Sequence, residues 1–381
     1  MDDGRDAMKV LYFLRDNGGC GFYRLAQPLQ VVAMNDKTFE VRHAEKGDNE
    51  ETIAQHLLWA DVCVTPRVFD EKFCNGIEQF KKLGKKVIVD WDDNFFKVSP
   101  LSPHYKDFGT ENYSHDYIGG KLDVWTDGKN IDLARNKAAL ERAKKAMAVA
   151  DMVTTTTPIL AKVFEEFNPN VKVLPNCIDL ELWKKLPFAS HRGIRVGWTG
   201  GYSHFEDWKI LAQVLPEFLR INSNVTLVLL GQKFDGTLKG IDPDRIEYRG
   251  WCPTPAYPYV SAILDLDFAV IPLVDSDFNN CKSPLKWLEM ASIEVPSVSS
   301  FCSPYSEMMD LVPENGMFVE GNSPTGWLMA LNKMTQDHKL RNAMGLAARK
   351  TVEHFYDIEN NWKKWVDAYE SLVKQPAEVS K

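Results

Sequence analysis

The chain has 381 residues, more than the ~100–200 typical of one domain, so it reads as two domains with separate cores. Hydrophobic residues make up 44% and charged residues 26%, which excludes a chain that is disordered, collagenous or membrane-embedded throughout. The net charge of −8 leaves no global positive field for a polyanion, and nucleic acid is disfavoured as a partner unless a local basic cleft holds it. The N-terminus Met-Asp-Asp-Gly lacks a signal-like apolar region, and runs such as Phe268–Val274 fall short of the roughly 20 residues that span a bilayer. A cytoplasmic protein is expected. Seven dispersed cysteines without a C-x-x-C pair read as reduced thiols, and no metal site is expected.

In chain order, short Val/Ile/Leu runs alternate with helical patterns, the mark of βαβ units around parallel sheets. A strand Met8–Leu14 ends in a Gly18–Gly21 turn before a helix from Phe22 to Met34. Strands Asp61–Thr65 and Val87–Asp90 flank a helix Glu71–Leu83, and a polar, aromatic stretch Lys97–Lys129 reads as a long loop or insertion. A helix Ile131–Ala150 runs into strand Asp151–Thr155, and Val171–Leu174 stops at Pro175-Asn176. After a Pro187–Arg192 linker the pattern restarts. Strand Ile194–Trp198, a Thr199-Gly200-Gly201 turn and a helix Glu206–Ile221 are followed by strands Val225–Gly231, Arg245–Tyr248, Phe268–Pro272 and Pro296–Ser300. The remainder is helical, with Trp327, Leu331, Phe355, Trp362, Trp365 and Tyr369 at amphipathic spacing. The expected division is therefore 1–187, 188–352, and C-terminal helices 353–381 that pack back on the first domain.

Ligands of doubly wound sheets sit beyond the carboxyl ends of strands, where Gly-rich turns let backbone amides approach an anion. Gly18–Gly21 and Gly200–Gly201 are such turns, although neither has the dinucleotide or P-loop spacing. The segment Phe278–Glu289 is more informative. Ser283 suits an N-cap and Pro284 the first helical position, which would leave the N–H groups of Leu285 and Lys286 open to an anion. Lys282 adds a charge, and Glu289 lies six residues past Ser283, about 9 Å along a helix, a span that separates a diphosphate from a ribose diol. The same residues also suit an ordinary capped helix with solvated charges.

The chain resembles retaining glycosyltransferases of the GT-B fold, in the group with a Glu-x7-Glu donor motif. Four segments carry the resemblance: Val173-Leu174-Pro175-Asn176-Cys177-Ile178-Asp179 ("LPNGID"), Ala150–Pro158 ("ADxVxxxTP"), Glu289–Val298 ("EAMAxGxPVV") and Phe278–Glu289. Phe278–Glu289 together with Gly19-Cys20-Gly21-Phe22-Tyr23-Arg24 looks like a bacterial and phage subgroup. The resemblance implies two Rossmann-like domains facing a cleft. It also implies transfer of a sugar from a nucleoside diphosphate sugar, UDP-sugar favoured, to a hydroxyl acceptor (glycan, protein, small molecule or modified DNA base) with retention, without metal or other cofactor. Glu289 would hold the ribose, with Ser283, Leu285, Lys282, Asn280, Gly200, Gly201 and Trp251 around the donor. Gly19, Cys20, Gly21, Tyr23, Arg24 and Asp93 would face the acceptor, and Lys282, Asp92 and His204 would take part in catalysis, Lys282 and His204 as replacement charges for the diphosphate. The first Glu of the motif is replaced by Cys281, and the basic pair usual on the first turn of the second domain is absent.

Three other readings stay open. Asp90-Trp91-Asp92-Asp93 contains a D-x-D that could hold a divalent cation, as in single-domain glycosyltransferases. A phage-type enzyme acting on a hydroxymethylated DNA base would need a basic groove, and the loss of the first Glu would also suit a non-catalytic nucleotide-sugar-binding protein. His104, His115 and His191 lack ligand spacing; Trp91, Trp125 and Trp251 fall in loops where ligand stacking and packing are equally expected.

Overall fold

The computed structural model describes residues 6–16, 18–111, 131–187 and 191–373. Two compact units are present: Met1–Asn94 with Ala134–Cys177 and Ile358–Lys381, and Phe95–Leu133 with Ile178–Asp357. The chain thus leaves the first unit at Cys177 rather than 187 and returns at Ile358 rather than 353. Ile178 N–H donates to the Tyr356 carbonyl at 2.7 Å, and Ile178 bridges Asp357, so the outgoing and returning segments are zipped together within the second unit. The segment after Asn94 also groups with that unit: Phe95 packs edge-on against Phe278 at 6.2 Å, and Lys97 lies 3.7 Å from Asp277.

The first unit is a parallel six-stranded sheet of order β2-β1-β3-β4-β5-β6. Its strands are β1 Met8–Leu14, β2 Phe39–Glu45, β3 Val62–Pro66, β4 Lys86–Trp91, β5 Met152–Thr155 and β6 Val171–Val173. Central strands are apolar on both faces, as helix-covered parallel sheets require, and β3 is buried throughout. Helix caps are local: Asn49 accepts from Thr52 N–H, Asp70 from Phe73 N–H, and Thr157 from Leu160 N–H with Pro158 at the helix start. The helix Lys363–Val373 supplies Trp365, Tyr369 and Leu372 to the core formed by Val10, Leu25 and Leu29. Each such full burial is worth about 1.5–3 kcal/mol, which explains why the C-terminal segment joins the first unit.

The second unit has sheet order β12-β11-β10-β7-β8-β9, also parallel. Its strands are β7 Ile194–Gly200, β8 Val225–Gly231, β9 Ile246–Arg249, β10 Phe268–Ile271, β11 Ser297–Ser300 and β12 Met317–Val319. Trp198, Trp208, Phe218 and Trp327 dominate its core. The order reverses between β7 and β10, and in such sheets the ligand crevice opens at the carboxyl ends of the strands flanking the reversal. In the first unit the corresponding reversal lies between β1 and β3.

Two expected helices are broken. Phe22–Met34 resolves into a helical turn Gly19–Gly21, a π-helical stretch Phe22–Ala26 and a helix Gln27–Asn35. Glu206–Ile221 is two helices, Phe205–Ala212 and Leu215–Ile221, because Pro216 lacks the N–H to continue the first. Among the described residues no helix is long and apolar enough to cross a membrane.

Candidate functional site

At the carboxyl end of β7, the Lys286 ammonium donates to the Thr199 carbonyl at 2.8 Å and lies 5.2 Å from the centre of the Trp198 ring. Gly200 has no room for a side chain, since a Cβ there would stand 2.6 Å from Lys286 Nζ and 2.7 Å from Trp198. Lys286 is half-buried, and desolvation, followed by the charge of Lys282, pulls its pKa down to about 8 despite Asp207 and Glu289 nearby. A lysine therefore does stand at this turn, but it arrives from the helix Leu285–Ser292, four positions after Lys282. Lys282 itself rests over the Phe278 ring, 4.8 Å from its centre.

Asp207 joins this turn to the loop after β10. One carboxylate oxygen accepts from His204 Nδ1 at 2.8 Å; the other accepts from Val274 N–H at 2.8 Å and Asn279 Nδ2 at 3.1 Å. Burial, reinforced by Lys286 and Lys282, pushes His204 down to about 3 against the pull of Asp207. The expected role of His204 as a replacement charge is corrected accordingly: the imidazole is neutral at neutral pH, its Nδ1–H committed to Asp207, and the positive charge of the turn belongs to Lys286.

The helix after this loop starts one residue later than expected, at Leu285, with Pro284 rather than Ser283 in the cap position and no side-chain cap bond. Pro284 still accepts Leu288 N–H at its carbonyl, and the first-turn amides of Leu285, Lys286 and Trp287 have no intrahelical acceptor. Asn280 places its amide nitrogen 2.7 Å from Asp275, while its buried Oδ1 has no hydrogen-bond partner. Cys281 is buried. Glu289, 4% exposed, accepts from the Tyr257 hydroxyl at 3.2 Å, and that hydroxyl is also 3.0 Å from Thr199 Oγ1. Burial, then the Glu289 charge, holds the Tyr257 phenol protonated well above its ordinary range. Trp251 is 73% exposed and lies against the glycines of two strand ends: Cβ atoms on Gly201 and Gly231 would stand 3.6 and 3.4 Å from its ring.

The turn after β1 is built on opposite electrostatics. Asp16 Oδ1 accepts from Gly18 N–H at 2.9 Å and Gly21 N–H at 3.3 Å, so a carboxylate already occupies the amides that an anion would need. Gly21 is required because a Cβ would collide with the Asp16 carbonyl; Gly19 is exposed. Beside this turn, Arg67 lies 3.5 Å from both Asp16 and Asp92. Asp92 is held below the usual carboxylate range: burial opposes this, but Arg67 and the Cys20 thiol outweigh it. Cys20 is pushed well above the ordinary thiol range by burial and then by Asp92, so it is a neutral donor to that carboxylate. Asp92 Oδ1 is buried without a hydrogen-bond partner. Asp93 is half-buried, and its carbonyl accepts Trp91 Nε1–H at 2.8 Å.

Tyr23 and Arg24 do not reach this surface. Both are buried in the π-helical stretch, and Arg24 makes a two-pronged bond to Asp90 at 3.0 and 2.8 Å, with further bonds to the Leu174 carbonyl and Asn176 Oδ1. Asp90 is thereby consumed, together with Thr154 Oγ1 at 2.7 Å, so the D-x-D presents no pair of free carboxylates. No group of His, Cys, Asp and Glu among the described residues could hold a metal ion. Trp91 is fully buried, His104 packs edge-on against Phe95, and His191 sits 3.5 Å from Asp267. Trp125 and His115 lie outside the described residues. The side chains of Lys286, Asp207, Tyr257, Asp16 and Arg67 escaped the sequence reading; only the Lys282-x3-Lys286 spacing carried a signal, since the others meet through strand ends distant in sequence.

Solved structures share this fold across nearly the whole chain. Sucrose-phosphate synthase from Thermosynechococcus elongatus aligns with a TM-score of 0.63 at 13% identity, covering 96% of this chain and 99% of the other. Anabaena HepE, in complex with UDP and glucose, gives 0.65 at 13% identity with 96% and 100% coverage, and a glycosyltransferase from Rickettsia africae gives 0.64 at 11% with 98% and 100%. These neighbours are glycosyltransferases of the GT-B architecture, and the chain has that fold. No protein-family profile and no curated protein sequence matches it.

Proposed function

We propose that the protein is a retaining glycosyltransferase that moves a sugar from a nucleoside diphosphate sugar, preferably a UDP-sugar, to a hydroxyl acceptor without a metal. The observation that carries this reading is the contrast between the two strand-end turns. The turn after β7 meets a half-buried lysine from a helix whose first amides lack intrahelical acceptors, whereas the turn after β1 has its Gly18 and Gly21 amides bonded to Asp16. The former suits a diphosphate, the latter a neutral hydroxyl compound. Glu289 accepts the ribose diol, Trp251 offers its face to the base, and Lys286 with Lys282 and the Leu285 amide takes the charge that grows on the leaving group. In the reaction the bond between the anomeric carbon and the diphosphate oxygen breaks, the acceptor oxygen bonds to that carbon from the same face, and its proton passes to the diphosphate. Asp92, its charge held by Arg67 at 3.5 Å beside the Asp16–Gly21 turn, acts on the acceptor by fixing the charge of that surface.

The HepE complex with UDP and glucose supports a UDP-type donor. A thermal-shift panel of UDP-, GDP-, ADP- and dTDP-sugars tests the reading, since a ligand at ~100 times its Kd stabilises by about 2.7 kcal/mol. Transfer from the stabilising donor should persist in EDTA; loss of transfer restored by Mn²⁺ would overturn the metal-free step. One observation favours a second reading, a non-catalytic nucleotide-sugar binder: buried Cys281 stands where the family's first motif Glu belongs. Donor binding without transfer or hydrolysis would decide for it.

A further inference from the structure

The helix Glu50–Trp59 buries none of its residues. Half-buried Ile53 and Leu57 and exposed Ala54 line a cavity of about 600 Å³ together with Phe13 of β1 and Phe73 and Phe80 of the helix Glu71–Lys82. The three rings are fixed against one another: Phe13 stacks parallel to Phe80 at 5.8 Å and meets Phe73 edge-on at 5.6 Å. Arg15 closes one side, over Phe73 at 4.5 Å and bonded to Asp70 at 2.8 Å. Ile53 and Leu57 pack against the cluster of Phe13 and Ala44 but stay only half-buried, so apolar surface is left at the cavity for a ligand to cover, and the volume is that of a small-molecule site.

The mouth of the cavity specifies the head of that ligand. Lys46, Gly47 and Asp48 follow β2, Arg15 follows β1, and Lys72 and Glu50 complete the rim. Lysines and carboxylates alternate here, so the rim is close to neutral and offers both donors and acceptors, the complement of a hydroxyl-rich group rather than of an anion. The cavity also opens at the carboxyl ends of β1 and β2, on the same edge of the sheet as the Asp16–Gly21 turn.

We infer that this cavity is a binding site for the aryl or short alkyl group of an amphiphilic acceptor whose polyol head lies at the Arg15–Asp48 rim. The acceptor role rests on the transferase reading above; the binding of the amphiphile does not. Titration calorimetry with octyl β-D-glucoside, kept below its micelle concentration, is the test, with glucose as control. Saturable one-to-one binding of the octyl glucoside, absent for glucose and weakened at least about tenfold by Ala54→Trp, supports the site. Should Ala54→Trp fail to fold by circular dichroism, Leu57→Gln, which makes the wall polar, takes its place with the same expectation. No saturable binding, or equal binding by wild type and a folded variant, overturns it. A monomer–dimer equilibrium in sedimentation that Ala54→Trp abolishes would also overturn it, in favour of a second copy covering the helix. Because UDP stabilisation is measured separately, failure of the donor reading leaves this result interpretable.

Discussion

Lys286 reaches from the first turn of its helix to the Thr199 carbonyl, 2.8 Å away, and can do so only because the next residue, Gly200, has no side chain. A methyl group at 200 would have to displace the ammonium, the Trp198 ring or both. Gly200→Ala should therefore act like partial removal of the lysine. Overpacking of this kind costs about 1–3 kcal/mol of stability, visible as a lower urea midpoint, and UDP affinity should fall to the extent that the ammonium is displaced. Lys286→Ala should lower kcat by about 10²–10³, the usual loss for a stabiliser of developing negative charge. Lys282→Ala should cost less, because that ammonium is held over Phe278 rather than at the strand end. Steady-state kinetics on the three variants would rank them; a larger loss for Lys282→Ala would reverse the assignment.

The lowered pKa of Lys286 gives the donor site a pH signature. The ordinary lysine value is ~10.4, and burial and Lys282 pull this one to about 8. Between those values the unfolded chain binds a proton that the folded one has lost, so this group alone makes stability rise with pH across the window. Affinity for a diphosphate moves the other way: above about pH 8 the site loses its charge, and UDP binding should weaken by up to roughly tenfold per pH unit. Lys286→Arg, charged throughout, should flatten the curve. His204 should add no acid limb near its ordinary value, because it is neutral down to about pH 3. Calorimetric Kd values across this range would show either the decline or its absence.

The Gly19–Arg24 motif implies an Arg24 that faces an acceptor, whereas the folded chain buries it. Its partner Asp90 is 66 residues away, and only the pairing of β3 with β4 and the register of the Gly21 turn bring them together. Both are almost fully buried. Removing one member of such a pair leaves a buried charge alone, so Arg24→Leu should destabilise by about 3–5 kcal/mol, visible as a lower midpoint in urea unfolding. An unchanged midpoint with lost activity would instead return Arg24 to the site.

The same distinction separates what was legible from what was not. Strands β1 and β8 were read to the residue, because a buried parallel strand is a dense apolar run between turn residues. Strand β2 was missed: as an edge strand it exposes Glu40, His43 and Glu45 and buries only Phe39 and Ala44, so its composition is that of a loop. Strand β12 is three residues long and carries too little pattern. The Lys282–Glu289 segment was legible because a helix start concentrates its chemistry in one contiguous stretch. Asp207 and Tyr257 are not legible in this way, since each acts through atoms supplied by another strand end or loop, and Asp16 is hidden because glycine spacing alone does not show that a carboxylate fills the amides of its own turn.

Glu289 and Tyr257 form the last testable pair. Glu289 sits on the buried face of its helix, which is where a core residue would sit, and its presence there as a carboxylate needs a reason. The Tyr257 hydroxyl, 3.2 Å away, satisfies one oxygen and fixes its direction. If Tyr257 were the whole reason, Glu289→Gln, which keeps an acceptor for that hydroxyl, would leave nucleotide binding intact. If the carboxylate takes a ribose diol, Glu289→Gln should weaken UDP binding, because one of its acceptors becomes a donor, and Glu289→Ala should weaken it further. A hydrogen bond to a charged group is worth about 1.5–3 kcal/mol, so the Ala variant should lose roughly 10- to 150-fold in affinity. Tyr257→Phe removes only the positioning bond and should cost less, about 0.5–1.5 kcal/mol in the same assay. Comparison of UDP with free uracil separates the roles: a ribose contact makes the Glu289 variants lose affinity for UDP and not for the base. Equal losses for both ligands would mark Glu289 as structural.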